Sequence, residues 1–304
     1  MSRQLYLECY SGISGDMTVA ALVDLGVDQA ALLQALSTIP VSGYQVRISR
    51  VKKSGLDACD FDVILDADHE NHDHDMEYLY GHLHDQSHEH EHEHDHVHEG
   101  HVHEHSFHEY DGTQGCDHEH NHHEHTHGHH HDHHHEHRGL PEILSIIDQT
   151  QISAHAKEIA RDIFEILAQA EAKAHGVPVE QVHFHEVGAV DSIVDVIAVA
   201  FCVDALGISE VIVPVLYEGT GTVRCQHGIL PVPVPAVANI AAAYGLKLHL
   251  TPDPGEYVTP TGAAIEAALR TRENLPQEYR IEAIGLGAGK RQTSRSGILR
   301  AMLL

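Results

Sequence analysis

Apolar and polar residues alternate along residues 4–9, and the pattern changes to helical spacing over residues 17–25. Alternation predicts a strand with one buried face, whereas apolar residues three and four positions apart predict a helix. A glycine-containing turn at residues 11–16 separates the two, and Gly26 ends the helix. The same patterns predict a further helix over residues 28–37 and strands over residues 44–51 and 60–65.

Helical patterns dominate the chain after residue 138. The predicted helices cover residues 140–148, 153–175, 189–206 and 236–244, and a last helix ends at residue 269. Runs of β-branched residues predict strands over residues 210–217 and 280–284. The helix over residues 189–206 is apolar nearly all round, so we expect it to be buried.

Predicted strands fall on both sides of a long segment, residues 66–138, that has neither pattern. The piece before this segment has about 65 residues, which is marginal for an independent domain. We therefore expect residues 1–65 and 139–304 to form one core domain of the α/β (α+β) class, in which helices pack on a mixed sheet.

The intervening segment has an unusual composition. Residues 66–137 hold 28 of the 34 histidines and 20 of the 46 acidic residues, and they contain no lysine or arginine. So few apolar residues cannot offset the loss of chain entropy on folding, which predicts a disordered insertion. Imidazole binds late first-row metals such as nickel, zinc, copper and cobalt, which predicts metal binding. The alternating run provides six candidate ligands: His88, His90, His92, His94, His96 and His98.

The formal net charge of −28 resides mostly in this insertion, because its twenty acidic residues account for all but −8. The chain has no basic stripe for a phosphate backbone, which excludes nucleic acid as an expected partner. Five cysteines without a C-x-x-C pair predict a reducing compartment. The sequence lacks a signal-peptide pattern and an apolar run of membrane-spanning length, so we expect a cytoplasmic protein that does not contact membranes.

Residues 183–195 combine imidazoles and carboxylates directly before the apolar helix. His183, His185 and Glu186 provide the ligand mixture that borderline divalent metals accept. Asp191 and Asp195 stand four residues apart and therefore share one helix face. Unpaired buried carboxylates are energetically costly, which favours a functional role for these two. We predict metal ligation by the first three residues and catalysis by Glu186, Asp191 and Asp195. The alternative is a loop followed by a helix that carries Asp191 in its first turn for the sake of the helix dipole.

Two turns suit an anion because each places backbone N–H groups at the start of a helix. The first contains Gly12, Ser14, Gly15 and Asp16, and the second contains Thr259, Thr261 and Gly262. We predict that they bind substrate phosphate, or alternatively that Ser14, Asp16 and Thr261 only cap their helices. The stretch of residues 285–291 offers glycines and two cations, which suit either a phosphate site or a flexible end.

Five stretches in order resemble the LarC family, the nickel insertion proteins of lactate racemase cofactor synthesis. They are residues 5–17 (LYLECYSGISGDM), 183–195 (HFHEVGAVDSIVD), 227–231 (HGILP), 259–264 (TPTGAA) and 285–289 (GLGAG). The resemblance extends from about residue 3 to about residue 302 and leaves out the histidine-rich insertion.

The resemblance implies an enzyme of the lyase class that performs a CTP-dependent cyclometallation, with Mg²⁺ or Mn²⁺ accompanying the CTP. In this reaction a nucleotide-like small molecule, pyridinium-3,5-bisthiocarboxylic acid mononucleotide, receives Ni²⁺ and forms Ni–C and Ni–S bonds. Members of the family continue into a C-terminal part that is associated with CTP binding and oligomerisation. The implied partners are therefore that C-terminal part, further copies of the chain and lactate racemase maturation proteins.

Two functions of different classes remain open from the sequence. In the first, the chain is a nickel-inserting enzyme whose histidine-rich loop gathers Ni²⁺ for the core. In the second, it is a non-enzymatic nickel or zinc metallochaperone or storage protein, which needs only residues 66–138.

Overall fold

The computed structural model describes residues 3–66, 138–184, 189–225, 228–291 and 294–304, with His183 described by its backbone alone. The main element is a six-stranded sheet in the order β2-β3-β11-β12-β1-β6. Its strands are β1 (Arg3–Glu8), β2 (Tyr44–Lys53), β3 (Leu56–Leu65), β6 (Ile208–Ile212), β11 (Ala283–Ala288) and β12 (Ile298–Leu303). The sheet thus draws strands from both sides of residues 67–137.

The strand directions in this sheet are mixed. β1 pairs with β12 in the antiparallel and with β6 in the parallel direction. β11 pairs antiparallel with β12 and parallel with β3, and β2 and β3 form an antiparallel hairpin. The predicted mixed α+β class is confirmed. The predicted histidine-rich insertion lies outside the described residues.

Seven α-helices occur in the described part of the chain, and the long apolar ones form the core with the sheet. They are α1 (Gly15–Asp24), α2 (Gln29–Leu36), α3 (Leu140–Gln149), α4 (Ala154–His175), α5 (Val190–Ala205), α6 (Pro235–Tyr244) and α7 (Pro260–Leu269). α1 packs between β11 and α5, and α5 packs on α4. Ten residues of α5 are buried, which confirms the prediction from its all-round apolar pattern. None of these helices has the length and hydropathy needed to cross a membrane.

The glycines of β11 let α1 lie directly on the sheet. A β-carbon at Gly285 would lie 2.1 Å from the carbonyl oxygen of Ala21, and one at Gly287 would lie 2.0 Å from that of Met17. Both distances are far below van der Waals contact, so any side chain would force the helix away. The structure corrects the prediction of a strand that ends at residue 284, because these glycines continue the strand and serve packing.

Among the described residues, three two-stranded sheets accompany the main one. Their strands are β4 (Arg138–Gly139) with β5 (His183–Phe184), β7 (Leu216–Thr220) with β10 (Leu248–Pro254), and β8 (Thr222–Cys225) with β9 (Gly228–Pro231). The single strand predicted over residues 210–217 is divided into β6 and β7. Pro214 stands in the break, where it cannot donate to a sheet hydrogen bond.

Candidate functional site

The first predicted phosphate turn leads from β1 into α1. Gly12 adopts a φ of +86°, and its N–H donates to the carbonyl of Cys9 at 3.2 Å. A β-carbon at Gly12 would lie 1.9 Å from the carbonyl oxygen of Tyr257. Glycine is required here for both reasons, since the backbone is left-handed and the neighbouring chain leaves no room. Ser14 is the N-cap of α1, and its hydroxyl donates to the carboxylate of Asp16.

The second predicted turn lies directly against the first. The N–H of Ile13 donates to the carbonyl of Tyr257 at 3.0 Å, and the N–H of Thr259 donates to the carbonyl of Ile13 at 3.1 Å. Gly262 completes the contact, because a β-carbon there would lie 2.2 Å from the carbonyl oxygen of Ile13. The N-terminal ends of α1 and α7 therefore adjoin, which brings together two turns that are more than 240 residues apart in sequence.

Thr259, rather than the expected Thr261, caps α7. Its hydroxyl oxygen accepts a hydrogen bond from the N–H of Gly262 at 3.1 Å. Thr261 lies in the first turn of the helix and is buried. The capping prediction for Thr261 was wrong because Pro260 takes the first helical position, which makes the residue before it the cap.

Glu218 of β7 holds the segment that leads to the second turn. Its Oε1 accepts three backbone N–H groups, those of Gly219 at 2.8 Å, Tyr257 at 2.7 Å and Val258 at 3.2 Å. The residue has no exposed surface, and burial raises the pKa of its carboxyl to about 7 against the opposing effect of the N–H groups. A buried carboxylate thus fixes the backbone beside Gly12, although it lies outside both predicted turns.

Asp195 reaches the first turn from α5. A β-carbon at Gly15 would lie 2.5 Å from Asp195 Oδ2, so the carboxylate rests against the backbone at the start of α1. Its Oδ1 is inaccessible to solvent and has no hydrogen-bond partner among the described residues. Burial raises the pKa of Asp195 well above its ordinary value, and the charges of Asp16 and Asp191 raise it further. Three carboxylates from two helices therefore influence one another at this point.

Lys290 supplies the opposing charge. Its Nζ lies 2.7 Å from Asp62 Oδ1 of β3. Burial lowers the pKa of Lys290, but the charges of Asp16, Asp62 and Asp195 outweigh that effect and raise the pKa above its ordinary value. The lysine is consequently a permanent cation at the edge of the carboxylate group.

A pocket opens where the two turns face the loop after β11. Its lining combines hydroxyls, carboxylates and cations from Ser11, Ser14, Asp16, Met17, Glu256, Tyr257, Thr259, Gly289, Lys290, Arg291 and Gly297. Arg291 Nη1 lies 2.5 Å from Glu256 Oε2, which holds the guanidinium at the wall. The hydroxyls and cations of the pocket can bind an anion, and the carboxylate of Asp16 can bind a cationic group.

The sequence matches a known protein family over almost its whole length. The family model described as nickel insertion protein matches residues 5–304. The chain belongs to the nickel insertion protein family. The resemblance drawn from its five sequence motifs is confirmed.

Curated members of the nickel insertion family match nearly the whole chain. The pyridinium-3,5-bisthiocarboxylic acid mononucleotide nickel insertion protein of Alkaliphilus metalliredigens is 46% identical over 304 residues, which cover 100% of this chain and 61% of that protein. Proteins of the same name from Acetivibrio thermocellus and Geobacillus kaustophilus are 33% and 36% identical, covering 99% and 98% of this chain and 60% and 59% of their own lengths. The chain thus spans about 60% of the length of these relatives. No solved structure matches it.

The structure locates only some of the site residues that were predicted for this nickel insertion family member. It brings together Asp191, Asp195, both turns and the cations of residues 290–291. His185, Glu186, the side chain of His183 and the six histidines of residues 88–98 lie outside the described residues. Within the described ranges, no three His, Cys, Asp or Glu side chains form a group that could hold a metal ion. The metal-binding and catalytic roles stay predictions.

Sequence reasoning missed two residues that shape the pocket. Glu218 directly follows the strand predicted over residues 210–217, and the observed strand Leu216–Thr220 includes it. A carboxylate within a strand that packs in the core is itself a signal of buried polar contacts. Lys290 was noted only as one of two cations near the glycines. Its contact with Asp62 depends on the parallel pairing of β11 with β3, which the sequence does not reveal.

Proposed function

We propose that this chain carries the nickel-inserting pocket of an enzyme that acts on pyridinium-3,5-bisthiocarboxylic acid mononucleotide, the compound named in its relatives. The observation that carries the proposal is the pocket in which residues of both helix-initiating turns face the cations of residues 290–291. The carboxylate of Asp195 lies next to the first of these turns, against Gly15. A mononucleotide that receives a metal needs a phosphate site, a base and a metal path.

The phosphate of the substrate fits the hydroxyl-lined side of the pocket. Ser11, Ser14 and Thr259 line it together with Lys290 and Arg291. The positive ends of α1 and α7 point toward the same region, and helix N-termini favour anions. Because the cations are already held by Asp62 and Glu256, they are positioned before the substrate arrives.

Asp195 is the proposed base for forming the Ni–C bond. In that step Ni²⁺ replaces a ring proton, so the ring carbon keeps the C–H electron pair for the metal and the proton passes to a carboxylate. A raised pKa makes Asp195 a stronger base than an ordinary carboxylate. Asp191 and Asp16 provide negative charge for the approaching metal, and Glu186, His183 and His185 are its proposed ligands from the preceding residues.

The finer parts of the proposal come from the family resemblance. We infer a lyase that works with CTP and a divalent cation in the cytoplasm, as a homo-oligomer that matures the lactate racemase cofactor. In the part of the chain that the structure describes, no three His, Cys, Asp or Glu side chains form a group that could hold a divalent cation. The proposal assigns CTP to the C-terminal part known from the family.

Nickel insertion is tested by product formation. The chain is incubated with the mononucleotide, Ni²⁺ and CTP, with and without the C-terminal part of a relative. Asp195→Asn is expected to lower the insertion rate by roughly 10²- to 10⁴-fold, the usual contribution of a general base. Asp162→Asn, at an exposed position of α4, is the matched control and should retain full activity. Full activity of Asp195→Asn would contradict the proposed role of Asp195 as the base.

The second candidate function, a nickel store, is favoured by the 28 histidines of residues 66–137. Deleting residues 69–137 separates the two functions. If insertion at saturating Ni²⁺ survives the deletion while His185→Ala abolishes it, the enzyme is the correct function. If the deletion alone abolishes function and His185→Ala has no effect, the store is correct.

A further inference from the structure

Three aromatic side chains pack in a row on the surface beside the pocket, with ring planes tilted by 58° and 37°, and we call this row the stack. The ring centroids of Tyr10 and Tyr217 lie 4.8 Å apart, and those of Tyr217 and His249 lie 4.4 Å apart. Tyr10 is 46% exposed, which is a large exposed area for a tyrosine whose ring already contacts another ring. None of these three residues belongs to the lining of the pocket.

Two chain segments, residues 10–11 and residues 295–297, connect the stack to the pocket. Tyr10 directly precedes Ser11, which lines the pocket. Arg295 Nη1 donates to the carbonyl of Tyr10 at 3.1 Å, and the hydroxyls of Ser296 and Ser11 are hydrogen-bonded at 3.0 Å. Gly297, the next residue, lines the pocket again. Tyr10 therefore lies within one residue of the wall that the proposed phosphate site uses.

The stack already holds one planar cation. The guanidinium carbon of Arg295 lies 5.5 Å from the centroid of the Tyr217 ring, and Asp253 fixes this arginine through a hydrogen bond of 2.9 Å from its Nε. Aromatic faces attract planar cations because of the negative charge of the π system. A pyridinium ring is a planar cation as well, and it adds an aromatic surface that can stack.

We propose that Tyr10, backed by Tyr217 and His249, is the stacking surface for the pyridinium ring of the mononucleotide. This inference rests on the proposed function, in which the phosphate of the same molecule occupies the adjoining pocket. It assigns the ring and the phosphate to different residues. The phosphate binds at the turns and at Lys290, whereas the ring binds at Tyr10 on first association. The ring leaves Tyr10 before Asp195 accepts its proton during metal insertion.

The test uses nicotinamide mononucleotide, which has a pyridinium ring and a phosphate, and ribose 5-phosphate, which has no ring. Calorimetric titration gives the affinity of each probe for the full chain. Tyr10→Ala should weaken nicotinamide mononucleotide about tenfold, a typical loss for removing one stacking side chain, and leave ribose 5-phosphate within about twofold. Tyr10→Phe keeps the ring and should bind both probes like the parent. Tyr279→Ala, at another exposed tyrosine, is the control.

The chain contains no tryptophan, so tyrosine emission gives a second readout. Nicotinamide mononucleotide should quench this emission in the parent and less in Tyr10→Ala, whereas ribose 5-phosphate should not quench it. Equal affinity of the parent and Tyr10→Ala for nicotinamide mononucleotide would overturn the inference while the phosphate pocket stands. A change of oligomeric state alone in Tyr10→Ala would overturn it in favour of a protein contact. Failure of both probes to bind the parent would overturn it together with the proposed function.

Discussion

Asp195 rests against the backbone of Gly15, at a distance that leaves no space for a β-carbon at residue 15. Such a β-carbon would lie 2.5 Å from Asp195 Oδ2 and 2.8 Å from Asp195 Cβ. The contact joins the first turn of α1 to the second turn of α5, and these helices come from opposite sides of residues 67–137. It places a carboxylate of raised pKa directly at the turn that we propose for phosphate binding.

This contact predicts the effect of Gly15→Ala. The added methyl group must displace Asp195 or the start of α1, and such overpacking costs about 1–3 kcal/mol of unfolding free energy. Denaturant unfolding measures the loss. Gly289→Ala is the matched comparison, because its β-carbon would meet the flexible end of Met17 at 2.8 Å and should cost less. Equal stability of Gly15→Ala and the parent would show that the contact is not a tight one.

Asp195→Asn should have opposite effects on stability and activity. The folded state raises the pKa of Asp195, so the folded protein holds a proton that the unfolded chain releases at its ordinary pKa of 3.8. This carboxyl group therefore opposes folding increasingly as the pH rises from about 4 through its folded pKa. We expect Asp195→Asn to be more stable than the parent at pH 8, with a gain that shrinks toward pH 4. Unfolding at several pH values measures this, and a gain that grows toward low pH would contradict it.

Glu218 should show a pH-dependent effect in a defined window. Its folded pKa of about 7 exceeds the ordinary 4.5, so its contribution to stability falls as the pH rises between these two values. Glu218→Gln keeps an acceptor for the three N–H groups and should remove this pH dependence. Glu218→Ala leaves these three buried donors without a partner and should cost about 3 kcal/mol or more, since each unsatisfied buried group costs about 1–3 kcal/mol.

The measurements for Glu218 are unfolding curves between pH 4 and pH 8 and the affinity for ribose 5-phosphate. A positioning role predicts that Glu218→Gln, which keeps the acceptor, binds the phosphate probe like the parent, whereas Glu218→Ala, under conditions in which it is folded, binds it more weakly. A purely structural role predicts unchanged affinity in the folded Glu218→Ala variant. Equal stability of the alanine and glutamine variants would contradict the hydrogen-bond argument.

The sequence predicted the elements of the site better than their arrangement. Alternation, helical spacing and terminal glycines located most helices and the buried character of α5, because these patterns are local. The strand break at Pro214 and the continuation of β11 through its glycines were not predicted. Both depend on which helix or strand lies beside these residues, and that is decided by pairing between distant parts of the chain.

The two turns illustrate the same limit at the site. Each could be recognised as a helix start from its own residues, but the hydrogen bonds between Ile13, Tyr257 and Thr259 have no signal in either stretch alone. Gly262 does carry a signal, since it lies in the first turn of a helix, where alanine would suffice locally and favour the helix more. A glycine without a local reason is therefore informative about a close neighbour.

Lys290→Gln should destabilise the protein through the carboxylates that it leaves behind. The raised pKa of Lys290 means that its charge stabilises the fold at all pH values below about 10.5 and that this contribution is lost only at higher pH. Without it, Asp16, Asp62 and Asp195 repel one another, and we expect a loss of about 2 kcal/mol at pH 8, between the values for exposed and fully buried pairs. The loss should shrink as the pH falls and Asp195, whose pKa is raised by its burial, becomes protonated. Lys290→Arg retains the charge and is the control for unfolding and for ribose 5-phosphate titration. If Lys290→Gln bound the phosphate probe as tightly as Lys290→Arg, the lysine would serve only to balance the aspartates.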